Sequence, residues 1–150
     1  LPLLKDFTEM RLAIEPAAAA LATARADATV LARIEASLER MKVADRGEGD
    51  AVEADIAFHL YVAGNYNAAA QSSSLFRLVK NSCLLAATIR SICMAKPVKR
   101  TAVGPIGVHT PLIEALQSGD PNLAEHAGKA HVRESMAEVL KAFANRSLQK

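Results

Sequence analysis

The sequence predicts an all-α bundle of six, or seven, helices in one domain, and three observations carry that prediction. Apolar residues recur at helical spacing along nearly the whole chain, and no segment sustains the period-two alternation of a half-buried strand. Helix-ending and helix-starting residues, such as Gly64-Asn65 and Ser118-Gly119-Asp120-Pro121, fall between the periodic stretches. The 150 residues, 51% apolar but only 4% aromatic, suffice for one core, filled by Leu, Ile, Val and Ala rather than by rings.

The first helix is expected over about 3–26, with Pro16 a kink or a break into two pieces, because proline removes a backbone donor and crowds the preceding turn. Asp27 has the N-cap position of a second helix over about 28–43, where Val30, Leu31, Ile34, Leu38 and Met41 stand at core spacing. Two glycines mark 45–50 as a loop. A third helix runs from about 51 and stops near Gly64-Asn65. The fourth, about 67–95, has apolar coverage wide enough to lie deep in the bundle, and Lys96, Pro97, Lys99 and Arg100 lead from it into a loop through Gly104, Pro105 and Gly107. A fifth helix begins near His109, with Pro111 in its first turn, and stops at Ser118-Gly119. Asp120 caps the sixth, with Pro121 at its first position, and that helix reaches about 145.

Composition excludes several functions. With 18 Lys and Arg against 16 Asp and Glu, the net charge of +2 is small and interspersed, so this chain does not present a nucleic-acid-binding surface of its own. Cys83 and Cys93 lie ten residues apart in one helical pattern, a rise of about 15 Å that no disulfide spans. Reduced core thiols and a cytoplasmic setting are expected. The longest apolar stretch, 83–95, is interrupted by Arg90 and falls short of the roughly 20 residues a membrane span needs. Nothing resembles a secretory signal, and the missing initiating Met suggests a piece of a longer chain.

Function is most legible in the metal-ligand residues. Asp55 and His59, four apart, project about 40° from each other one turn up a helix and so face one point. Such a pair alone is common by chance. His109 and His131 add weight, because a hairpin through Gly119 and Pro121 leaves about ten residues on one side and eleven on the other, bringing both imidazoles to the same height. His126, five residues before His131, points about 140° away and is expected in solvent. Three histidines and one carboxylate suit a divalent ion such as Zn, Ni, Mn, Co or Fe(II), with one or two positions left open.

At these residues the chain resembles a known family. E-M-R-L-A-I-E-P near the start, D-I-A-F-H-L-Y-V-A-G-N in the middle, and H-T-P-L-I-E-A-L-Q-S-G-D-P-N-L-A-E-H-A-G-K-A-H-V-R-E-S near the end are similar to the C-terminal effector-binding (FCD-type) domain of GntR-type transcription regulators, FadR group, over roughly 9–140. Gly107-Val108, without the acidic residues often seen there, and Gly128, where an apolar residue is common, depart from the pattern. The resemblance implies an antiparallel bundle enclosing a metal and ligand cavity, with Asp55, His59, His109 and His131 as the ligands of the family's metal-binding branch. It implies a sensor and no enzyme: a small organic acid effector enters the cavity, and a homodimer changes its hold on operator DNA through an N-terminal winged helix-turn-helix absent from this chain. Arg11 matches the family's cavity arginine as a clamp for the acid; a surface pair with Glu15 is the other reading. Arg90 is a second ligand-binding candidate, unless its helix position lets it reach solvent. Asn65 is read as structural.

The rival is a metal-dependent enzyme, a hydrolase or Fe(II) oxygenase, using the same three-His, one-Asp site. It lacks a dedicated base: the sequence places no spare Glu or His near the ligands, and Glu53 and Glu114 project away from theirs by about 160° and 140°.

Overall fold

Among the described residues, short-range signals set six helices: α1 (Pro2–Arg25), α2 (Ala28–Asp45), α3 (Ala51–Gly64), α4 (Ser74–Cys93), α5 (Pro105–Gln117) and α6 (Pro121–Ser147). The structure is a computed structural model, and it describes residues 2–45, 51–64, 74–93 and 105–147. No strand occurs among them.

Asp27 caps α2 as its position predicts, its Oδ1 accepting the backbone N–H of Val30 at 2.8 Å. Asp120 does the same for α6, accepting from Asn122 at 2.9 Å and Leu123 at 3.3 Å. Gly119, just past α5, takes φ 75°, the left-handed conformation that closes a helix cheaply only at glycine. These two residues turn α5 back along α6.

Two boundaries differ from expectation. Pro16 neither breaks nor splits α1, which runs through it as one helix. The residues around it, Glu15, Ala18 and Ala19, are buried against neighbouring helices, and that packing outweighs one missing backbone bond. α5 begins at Pro105, not near His109, so Gly107 belongs to the helix and Pro111 lies inside it. Pro105 suits a first helical position, and burial of Leu112, Ile113 and Leu116 holds the turns beyond Pro111. The expected start of α4 at 67 and the 96–104 loop lie outside the described residues, as do Asn65 and the side chains of Arg90 and Cys93. Cys83 is a buried thiol.

α1 packs most extensively on α6 and also touches α3, α4 and α5. α2 covers α3 and α5. The main core joins Ala19 and Ala22 of α1 to Ile34 and Met41 of α2, Phe58 and Val62 of α3, and Leu112 and Leu116 of α5. Smaller clusters, Phe7-Ala86-Met136-Val139 and Ala18-Ala63-Val79-Cys83, fill the α1–α4–α6 and α1–α3–α4 seams. Small residues on α1 make this possible. Gly128 of α6 backs onto Pro16, where an added Cβ would stand 3.1 Å from the proline Cα. The close crossing of α1 and α6 accounts for the glycine at a position where a larger residue was expected.

Candidate metal centre

Asp55 and His59 stand one turn apart on the buried face of α3, as the i,i+4 spacing requires. The α5–α6 hairpin brings His109 and His131 level, their ring centroids 4.5 Å apart. All four side chains are buried. His59 Nε2 lies 3.4 Å from His109 Nε2 and 3.2 Å from His131 Nε2. Asp55 Oδ1 is 2.9 Å from His109 Nε2 and 3.9 Å from His59 Nε2. Four donor atoms from three helices thus surround one point.

Their spacing fits a divalent ion. Nitrogen ligands about 2.0–2.1 Å from a tetrahedral ion stand roughly 3.3 Å from one another. A hydrogen-bonded chain of imidazoles would satisfy its nitrogens in pairs, whereas here His59 Nε2 is within 3.4 Å of two others. Burial, opposed by Asp55 and Glu15, lowers His59 from its ordinary 6.5 to about 4. Burial and the two neighbouring imidazoles push His131 well below 6.5. Both rings are therefore neutral near pH 7, the form that offers a lone pair to a metal. His131 Nδ1 faces the Val108 carbonyl at 3.1 Å, which fixes the ring with Nε2 inward. Phe58, fully buried, packs edge-on against His59 and His109 at centroid distances of 5.3 and 5.1 Å.

Arg11 matches neither sequence reading completely. It does pair with Glu15, but in the interior: Arg11 is 2% exposed and Glu15 7%. Its Nε and Nη2 donate to the two Glu15 oxygens at 2.7 and 3.0 Å, and Nη1 donates to Ser135 Oγ at 3.3 Å. Ser82 Oγ donates to Glu15 Oε1 at 2.8 Å. Burial alone would raise the Glu15 carboxyl, but the hydrogen bonds and charge of Arg11 overcome it and hold the group below its ordinary 4.5. Glu15 Oε2 lies 4.0 Å from His59 Nδ1. So a carboxylate does stand beside the ligands, contrary to the expectation that none would.

Ser82 gives no sequence signal, being one small polar residue in an apolar helix. Glu15 carries the i,i+4 signal already read as its pair with Arg11, and Ser135 carries the same spacing from His131. His126, Glu53 and Glu114 are exposed, as expected. A cavity of about 10 Å³ beside His59 and His131 is lined by Glu15, Ala18, Ala19, Leu112 and Gly128. It has room for one water-sized group.

The family model of the FCD domain matches residues 6–134 of this chain. No curated protein matches it.

Proposed function

The chain belongs to the FCD domain family, the C-terminal ligand-sensing regulatory domains of GntR-type regulators, and on that premise we propose that it senses a small organic acid at a divalent metal. The observation that carries this reading is the convergence of Asp55 Oδ1 with the Nε2 atoms of His59, His109 and His131. A divalent ion with an open position would supply a Lewis-acidic anchor for a carboxylate.

The chain's own residues supply the rest. The Nη1 edge of Arg11 makes its longest bond, 3.3 Å, to Ser135, one turn from His131. That is the edge that would turn to a second oxygen of the acid. The adjoining cavity admits only a water-sized group, so an acid must displace segments lining it, which lie on α1, α3, α4, α5 and α6. α1 is the first helix, and its shift would be felt by an N-terminal winged helix-turn-helix in the parent regulator, where two copies grip operator DNA from the cytoplasm.

No observation favours the enzymatic rival. Glu53 and Glu114 face solvent, and Arg11 holds the Glu15 carboxyl below its ordinary range, which makes it a weak base. Among the described residues no helix is long and apolar enough to cross a membrane.

The test is metal content followed by acid binding. Protein loaded with Zn, Ni or Mn and desalted should hold about one ion per chain by elemental analysis, and Asp55→Ala and His131→Ala should hold far less. Full retention in both variants overturns the site. A panel of small mono- and dicarboxylates should then give calorimetric heats with loaded protein and none after chelation; turnover of any of them would establish the enzyme instead.

A further inference from the structure

Glu15 is an ionised carboxylate in the interior, and the pair with Arg11 explains how it is tolerated, not where it points. Arg11 and Ser82 satisfy Oε1 from two directions, and Arg11 holds Oε2 from one. The remaining side of Oε2 faces His59 Nδ1. His59 turns its other nitrogen toward His109 and His131, so Nδ1 is its outer atom.

We propose that Glu15 is a positioning residue for the metal centre: it accepts the Nδ1–H of His59 and thereby presents the Nε2 lone pair to the point shared with Asp55, His109 and His131. The inference rests on the metal reading for its purpose, though the facing of Glu15 Oε2 and His59 Nδ1 stands without it. At 4.0 Å the two atoms are about 1 Å beyond contact. A small rotation of the ring closes that distance, and so does one water in the cavity that both residues line.

The neighbouring imidazole sets the precedent inside this molecule. His131 has its outer nitrogen fixed by the Val108 carbonyl and its Nε2 turned inward. For His59 the corresponding acceptor is a full negative charge, which fixes the tautomer and strengthens the ring as a donor. Three hydrogen bonds from Arg11 and Ser82 keep that carboxylate from collapsing onto the ligand atoms. On this account Arg11 acts on the centre through Glu15 as well as through any acid.

The experiment uses the full chain, stripped with chelator and labelled with ¹⁵N-histidine. His59 should carry its proton on Nδ1 in the wild type and lose that preference in Glu15→Gln. Zn affinity, measured by chelator competition, should fall 10–100-fold in the same variant. His126→Ala, which removes an exposed imidazole of α6 outside the network, should stay within about threefold of wild type. If Glu15→Gln does not fold, Glu15→Asp replaces it, keeping the charge one methylene short, with intermediate affinity and a mixed tautomer expected. Unchanged tautomer in the variant overturns the proposal, whether or not Zn affinity falls, because a purely structural role would weaken binding without moving that proton. Failure of the wild type to bind Zn would sink the metal reading separately, leaving the tautomer to decide the hydrogen bond.

Discussion

His59 faces the site with both nitrogens, one toward two imidazoles and Asp55 and the other toward Glu15. Burial makes its protonation costly, and that cost has a sign in pH. The folded ring titrates near 4 against about 6.5 unfolded, so between those values the unfolded chain binds more protons. Stability from this group is complete above about pH 6.5 and is lost as pH falls toward 4. His131 acts in the same direction. Glu15, with its carboxyl lowered, adds a further loss below its ordinary 4.5. Melting temperatures of metal-free protein should therefore decline steadily from pH 6.5 to 4, with a shallower slope in His59→Gln; a flat profile over that window would contradict the burial account. Asp55, His59, His109 and His131 were readable from sequence because one pair obeys helix spacing and the other obeys hairpin arithmetic. Ser82 and Glu15, 67 residues apart, obey no local period, and their meeting depends on how α1 lies against α4.

At the scale of helices, caps and turn residues carry direct marks in the sequence, and Asp27, Gly119 and Asp120 did what their types dictate. Prolines were the less reliable punctuation. Pro16 and Pro111 both lie inside helices because the packed faces around them hold the geometry that an isolated chain would abandon. The crossing of α1 and α6 at Pro16 is a close one. Gly128→Leu should cost about 1–3 kcal/mol in denaturant unfolding, since the new side chain meets Pro16 backbone and enters the cavity beside His131. An equally stable variant would mean that the two helices can part without loss, and the coupling of cavity filling to helix movement would lose its basis.

At the scale of the whole molecule, every helix among the described residues except α2 places a residue in the Arg11–Glu15 network or the four-residue set. The bundle itself follows from periodicity, but the order in which its helices touch does not, because many pairings of similar Ala-rich faces bury comparable area. One consequence concerns time rather than equilibrium. Ser82 meets Glu15 across 67 residues and Arg11 meets Ser135 across 124, so these bonds form only after α4 and α6 have both come home to α1. Side-chain hydrogen bonds of this kind need the final packing of the helices that carry them, and they are expected on the native side of the folding barrier. Ser82→Ala and Ser135→Ala should accordingly accelerate unfolding in stopped-flow chevrons while leaving the refolding arm in place. The polar heart of this protein is then a latch: it has little part in how quickly the chain finds its shape, and a large part in how long it keeps it.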